Sequence, residues 1–383
     1  MPRFFVSGSL GFEEKLIAEL QSVWFLMADL DGLPTRASFP EMTVIEGGIE
    51  FDCEMHLGLQ LNYFSKLAYR VLLRVGRFQA RFYDQLEKQL SQMNWAGFFK
   101  NESALGFKVS FSKSRINNEK NVLEACENVF KKKGFKVSQS ADQTLFLRIV
   151  KDNVEVSVDS TGEHLHFRGY RVQQGEAPIR ENLAALIWSF MPEVPCANDV
   201  VLDPFCGSGT LLFEYLIKAL PNFSRSFAFT SWPNCPAIMK SSTFNKNFRW
   251  IDPAQDFPQL IGSDNNAEAL KKAEHNQLLL QKQYGIKSTA QWTLSRCRDL
   301  QLPGGDQLFL VANPPYGERL DDRGAMNDLE NFITHNAERF KHIHALILQP
   351  VGRVPEFKKL VLKNKIPFSN QGLKLNLLQY SKV

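Results

Sequence analysis

No apolar stretch in the sequence approaches the roughly 18 residues that a membrane-spanning helix requires. The opening Met1-Pro2-Arg3-Phe4-Phe5-Val6-Ser7-Gly8 is too short an apolar run for a secretory signal, so a cytoplasmic location is expected. The six cysteines (Cys53, Cys126, Cys196, Cys206, Cys235, Cys297) include no Cys-x-x-Cys pair, which argues against zinc and against a disulfide framework. His164-x-His166 and His342-x-His344 alternate as strand residues do and lack partners at ligand spacing; no metal is expected. No tandem repeat or low-complexity tract is visible. A net charge of +4 is small, compatible with a nucleic-acid partner without demanding one. What remains is a globular chain, 44% hydrophobic and 22% charged, whose 383 residues are enough for two to three domains.

The most informative stretch is Val200-Val201-Leu202-Asp203-Pro204-Phe205-Cys206-Gly207-Ser208-Gly209-Thr210-Leu211-Leu212. A short apolar run ends in a carboxylate, turns through two glycines and re-emerges as a helix: a buried parallel strand, a tight loop and a helix start. Ligands of open α/β sheets bind at such strand ends. No Gly-Lys-Ser/Thr follows, which excludes the phosphate-cradling loop of nucleoside triphosphatases. Leu212 stands where a dinucleotide fingerprint needs its third glycine, and Asp203 would repel a pyrophosphate. Asp203 suits a cation, such as the amino group of a methionine-derived cofactor.

A second stretch bears on the chemistry. The apolar strand Leu308 to Ala312 runs into Asn313-Pro314-Pro315-Tyr316. Two prolines fix the backbone and remove two donors, leaving carbonyls as outward acceptors. The Asn313 side-chain oxygen and the Pro314 carbonyl can each accept from a planar amine, and the Tyr316 ring can stack on the base that carries it.

The first motif resembles that of the class I S-adenosylmethionine-dependent methyltransferases, whose Asp-x-Phe-x-Gly-x-Gly pattern the sequence matches at Asp203, Phe205, Gly207 and Gly209. The second resembles the Asn/Asp-Pro-Pro-Tyr motif of enzymes that methylate exocyclic amines of bases. Ala177-Pro178-Ile179-Arg180-Glu181-Asn182-Leu183-Ala184-Ala185 is similar to a segment that flanks the cofactor in that family. The order of the three is that of the N6-adenine/N2-guanine methyltransferases. The resemblance implies a doubly wound α/β sheet over residues 166–383 and S-adenosylmethionine as cofactor. It also implies cofactor contacts from Glu181, Asp203, Phe205, Gly207, Gly209, Thr210, Asp264, Asn265, Asp299 and Asn313. Asp264 would accept from the ribose hydroxyls, although it could instead cap the following helix. Asp299 would accept from the adenine amine, or be a loop residue. Catalysis would fall to Asn313, Pro314, Pro315 and Tyr316.

Asp264 lies much farther beyond the glycine loop than the roughly 20 residues usual for such an acid. An insertion over about 221–258 explains the gap and is expected to pack on the sheet edge near the active site. Helices are expected over Arg180 to Phe190, Met326 to Phe340 and Val354 to Leu362, and the last strands as an antiparallel hairpin.

The basic clusters lie in the N-terminal half. From Met55 to Tyr83 there are five basic residues and no acidic one, and Lys113, Arg115 and Lys131-Lys132-Lys133 follow; the last three fit a solvated helix face equally well. Strands and helices alternate through residue 158. A Ser-Lys-Ser-Arg segment between a strand and an Asn-capped helix from Asn118, with a hairpin around Lys151-Asp152-Asn153, resembles an RNA-binding THUMP domain (residues 56–165) preceded by a ferredoxin-like subdomain (1–55). Lys113 and Arg115, with Arg168 and Arg171 in the linker that follows, are the expected RNA contacts. The whole chain resembles the bacterial 23S ribosomal RNA guanine-N2 methyltransferases of the RlmL type, which implies RNA as partner. A transfer-RNA guanine-N2 enzyme and an adenine-N6 DNA methyltransferase remain alternatives, since the Asn-Pro-Pro-Tyr quartet accepts either amine.

Overall fold

Alternation of buried and half-buried residues marks the strands of the first sheet most clearly at its centre. Leu145, Leu147 and Ile149 of β7 (Gln143–Val150) and Val154, Val156 and Val158 of β8 (Asn153–Asp159) point inward from a hairpin. Its two turn residues, Lys151 and Asp152, both have positive φ (51° and 62°), as a two-residue turn matched to strand twist requires. The remaining strands are β1 (Arg3–Ser7), β2 (Thr43–Ile45), β3 (Gly48–Asp52), β4 (Arg70–Gln79), β5 (Ala104–Ser112) and β6 (Lys136–Val137), in the order β2-β3-β1-β4-β8-β7-β5-β6.

The computed structural model describes residues 1–30, 38–100, 103–138, 140–171, 179–240, 257–315, 322–352, 354–370 and 372–382. It divides into two compact units, Met1–Leu165 with Arg225–Arg249, and His166–Ser224 with Trp250–Val383. Because β1 pairs with both β3 and β4, residues on either side of the expected border at 55/56 share one sheet in the first unit. Helix Glu119–Lys132 begins where Asn118 Oδ1 accepts from the Asn121 amide (3.1 Å) and buries Val122, Ala125, Cys126, Val129 and Phe130, one stripe at helical spacing.

The insertion corrects an expectation. Arg225 to Lys240 belongs to the first unit, not to the edge of the second sheet, while 221–224 and 257–258 stay with the second unit. Phe227 and Phe229 meet the Tyr63 ring edge-on at 4.9 and 6.0 Å, and Trp232 Nε1 donates to Gln143 Oε1 at 2.9 Å. The Gln143 amide in turn donates to Ala228 O and Ser231 Oγ (3.1 and 2.9 Å), so a buried glutamine is satisfied only with this segment in place. Residues 241–256 lie outside the described part.

The second unit is a seven-stranded sheet of β9 (Val200–Asp203), β10 (Gln259–Asp264), β11 (Gln291–Leu294), β12 (Gln307–Ala312), β13 (His342–Pro350), β14 (Leu360–Asn370) and β15 (Leu373–Lys382), in the order β11-β10-β9-β12-β13-β15-β14. β9 to β13 are mutually parallel, and β15 runs antiparallel between β13 and β14. Val200, Leu202, Leu308, Leu310, Phe332, Phe340 and Ile347 belong to one core cluster that joins strands to helix Asp322–Asn336 and the turn after it. The helix expected over Val354 to Leu362 is absent: Leu360 already starts β14. The apolar spacing there fits a helix, but the cross-strand partners that β15 offers from Leu360 to Asn370 prevail.

Candidate active site

The strand order reverses between β9 and β12, and at such a switch point the carboxyl ends of neighbouring strands diverge to leave a crevice. Asp203 ends β9, Asp264 ends β10, and Asn313-Pro314-Pro315 directly follows β12. In register, Gly262 stands beside Asp203 and Leu310 beside Leu202, so the stretches singled out from sequence meet at one end of the sheet.

Asp203 is 1% exposed and accepts from the Phe205 amide at 3.1 Å. Burial pushes its carboxyl up to about 8; the Phe205 hydrogen bond opposes this and the nearby Asp264 adds to it. The loop is closed by its backbone: the Cys206 amide donates to Ser263 O (3.0 Å) and the Gly209 amide to Cys206 O (2.8 Å). Gly207 and Gly209 take positive φ, +53° and +88°. A Cβ on Gly209 would come within 2.7 Å of the Phe213 ring and 2.8 Å of the Trp292 ring, whereas one on Gly207 would meet no protein atom within 4 Å. The loop therefore packs tightly on its inner side and leaves room on its outer side, as a cradle for a ligand must.

Asp264 supports that cradle. Its Oδ2 accepts from the Gly207 amide and its Oδ1 from the Asn266 amide, both at 2.9 Å. Asn266, not Asp264, caps helix Ala267–Tyr284, its side chain accepting from Glu268 and Ala269. Asp264 is half-buried, and Asn265 beside it is exposed. Thr210 is buried at the start of helix Thr210–Leu216. Helix Glu181–Trp188 is tied to that helix by the Trp188 indole, which donates to Leu211 O at 2.7 Å. The Cys206 thiol is held far above its usual range by burial and by Asp203 and Asp264, so it is no nucleophile.

Beyond β12, Asn313 Oδ1 is buried without a hydrogen-bond partner among the described residues. A buried acceptor left unpaired costs about 1–3 kcal/mol, a cost that a donor on a ligand in the crevice would remove. Tyr316 lies outside the described residues.

Several expected contacts are placed differently. Arg168 and Arg171, read as RNA-binding, are buried inside the second unit: Arg168 Nη2 lies 3.2 Å from Glu214 Oε2, and Arg171 Nη1 lies 3.3 Å from Glu181 Oε1. Their guanidiniums meet internal carboxylates and are not at the surface. Glu181, expected at the cofactor, is buried and engaged by Arg171. Asp299 is exposed in a 3-10 turn, 3.6 Å from Arg298. Lys113 and Arg115 are exposed in the first unit, where Ser114 Oγ donates to Ser112 O and the Arg115 amide to Asp152 Oδ1.

The sequence reading missed two residues. Trp292 underlies both Gly209 and Gly262; a Cβ on Gly262 would lie 2.4 Å from its ring. A glycine inside strand β10 was the available signal. Asn182 is 1% exposed, on the first turn of helix Glu181–Trp188, and both its amide atoms lack partners among the described residues; its place in the Ala177 to Ala185 segment was the available signal.

Among the described residues no group of three potential ligands could hold a metal, and no helix is long and apolar enough to cross a membrane. The model of a family described as RMKL-like, methyltransferase domain, matches residues 168–361. A ribosomal RNA large subunit methyltransferase K/L from Colwellia psychrerythraea is 27% identical over 87% of this chain and 48% of its own length. The chain thus spans about half the length of that relative. A solved structure from Clostridium difficile 630 superposes with a TM-score of 0.76 at 22% identity, covering 99% of this chain and 97% of the other. SMU.472, solved as a complex with SAH, gives 0.72 at 22% identity, with the same shares covered. These two likenesses establish a shared fold.

Proposed function

The chain belongs to the family of RMKL-like methyltransferase domains, and on that footing we propose that it transfers a methyl group from S-adenosylmethionine to the exocyclic N2 amine of a guanine in 23S ribosomal RNA. The observation that carries this proposal is the pairing, at one switch point, of a buried carboxylate beside a glycine loop with an orphan amide oxygen at the end of the neighbouring strand.

The residues fit the cofactor. Asp203 has no cation among the causes that shift it and is left in want of a charged or polar donor; the outer side of Gly207 has space. When bound, S-adenosylmethionine supplies an electrophilic methyl on a sulfonium. Asp203 and the glycine loop orient its methionine end, and Asp264 the ribose. An exocyclic amine conjugated to its ring is a poor nucleophile. Asn313 Oδ1 and the Pro314 carbonyl would accept hydrogen bonds from its N–H groups and hold the nitrogen so that its lone pair forms the new N–C bond as the S–C bond breaks, S-adenosylhomocysteine leaves and the displaced proton passes to water. Tyr316 stacks on a base drawn out of its helix or found in a loop. No covalent enzyme intermediate is required, in keeping with the suppressed Cys206 thiol.

The first unit supplies RNA affinity in this proposal, as a THUMP-type module with Lys113 and Arg115 on phosphates. Large-subunit RNA is favoured by the name of the K/L relative, which matches 87% of this chain.

Purified protein would be incubated with labelled S-adenosylmethionine and RNA from cells lacking it, and the product digested to nucleosides for mass spectrometry. N2-methylguanosine in large-subunit RNA is expected. N6-methyladenine with guanine untouched would overturn the substrate while leaving amine methylation standing, and label confined to transfer RNA would move the substrate to that class.

A further inference from the structure

From Phe357 to the end of the sequence the chain carries six lysines and no acidic residue. This stretch forms β14 and β15, and β14 is one of the two edge strands of the second sheet, the other being β11. Two of the lysines have partners: Lys359 Nζ lies 2.8 Å from Glu338 Oε1, and Lys382 Nζ donates to Phe340 O. Lys358, Lys363, Lys365 and Lys374 are exposed, and no carboxylate pairs with them among the described residues.

The hairpin arranges three of these lysines. Register shifts between Leu362 and Asn364, which leaves Lys363 without a cross-strand partner at a bulge; bulges re-aim side chains. Lys365 stands opposite Leu378 and Ser369 opposite Lys374, so Lys365 and Lys374 fall on the same face, four positions apart. Leu375 pairs with Pro350 at the carboxyl end of β13, and the Val351 amide donates to Lys374 O. β13 runs parallel to β12, so Lys374 stands at the end of the sheet that carries Asp203 and Asn313. From β12 to β14 is three strand steps, about 14 Å at some 4.8 Å each.

Lysines on an edge strand also deter pairing with other chains, and Pro367 serves that purpose here too. Lysine in particular serves that purpose, but deterrence does not require every charge of the hairpin to be positive, and exposed lysines without a single acid among them also form a basic strip. We propose that the lysine edge of β14 and β15 is a second RNA-contact surface, which holds the phosphate backbone flanking the target nucleotide while the base occupies the crevice. This rests on the RNA methyltransferase function proposed above and adds an anchor within the methyltransferase unit itself, where the sequence reading assigned affinity to the N-terminal half alone.

The test compares the full-length protein with its K363Q/K365Q/K374Q variant. Binding to a fluorescent 23S ribosomal RNA transcript would be measured by anisotropy from 50 to 200 mM KCl. Loss of three phosphate contacts should reduce the slope of log K against log salt by about 2 to 3 and weaken binding at least tenfold at 100 mM. Calorimetric affinity for S-adenosylhomocysteine should stay unchanged, which shows an intact fold. If the triple variant does not fold, K374Q alone, at the strand start, should lose roughly one unit of slope. Wild-type slope and affinity in the folded variants, with or without aggregation, would overturn the lysine edge and leave the proposed reaction untouched. Absence of salt-dependent RNA binding by the wild-type protein would remove both.

Discussion

Gly207 donates its backbone N–H to Asp264 Oδ2 at 2.9 Å, so the carboxylate that ends one strand holds the loop that follows its neighbour. The bond places two acidic groups on either side of the glycine turn, one half-buried and hydrogen-bonded to two amides, the other almost wholly buried with one. Their difference in environment gives them different tasks: Asp264 shapes the loop, and Asp203 awaits a donor.

Asp203 should make cofactor binding depend on pH. In the cofactor-free protein its carboxyl titrates near 8, against 3.8 unfolded. The folded state therefore holds a proton that the unfolded state has lost. Stability from this group is complete below about pH 4 and disappears as pH rises through 8. A bound cation favours the ionised form, so binding at pH 7 should release a proton. Calorimetry in two buffers of different ionisation enthalpy should detect that release in the wild-type protein and find it diminished in Asp203→Asn. Equal release from both would place the cation elsewhere.

Gly209→Ala should be destabilising out of proportion to one methyl group. It adds a Cβ at φ +88° between the Phe213 and Trp292 rings, combining backbone strain with overpacking, each about 1–3 kcal/mol. Gly207→Ala has strain but no collision and should cost less in stability while obstructing the ligand side. Urea unfolding ranks the two; a reversed order would mean that the rings give way easily.

The order of these effects shows what could be read from sequence. The strand, carboxylate and glycine turn at 200–209, and the strand running into Asn313-Pro314-Pro315, were legible because their geometry is set by adjacent residues: apolar runs, positive-φ glycines and locked prolines. Arg168 and Arg171 were misread as surface contacts because their partners are fixed by tertiary packing; Glu214 lies 46 residues from Arg168. A lone arginine in a linker looks exposed until such a carboxylate is found. The supposed helix at 354–362 failed for the same reason: its period was helical, but its partner was a strand still to come.

Arg168→Met should unfold the second unit readily rather than weaken RNA binding alone. It leaves Glu214, fully buried and bonded to the Tyr170 hydroxyl at 2.9 Å, as an unpaired charge, at a cost of about 3–5 kcal/mol. Adding Glu214→Leu should restore much of that stability. A stable Arg168→Met protein that had lost only RNA affinity would return Arg168 to the RNA surface.

Asn313→Ala should lower kcat by roughly 10²- to 10³-fold, the effect of losing one oriented polar group in the transition state, with cofactor affinity nearly intact. Tyr316→Ala should weaken productive base binding by about 1–3 kcal/mol, the scale of one base–aromatic stack. Single-turnover methylation alongside calorimetry separates the two. An Asn313→Ala enzyme whose only defect was a weaker grip on the cofactor would move Asn313 out of the chemistry.

Phe227, Phe229 and Trp232 have a consequence for how the protein is made. The first unit is not a contiguous beginning of the chain: its Tyr63 ring and Gln143 amide are completed by residues synthesised after β9 of the second. At about 5–20 residues per second, the roughly 70 residues between Leu165 and Trp232 take some 4–14 s to translate. During that interval the N-terminal sheet has part of its core unfilled. The core of the first unit can therefore close only after Trp232 has been made, when the glycine loop of the second unit has already been translated.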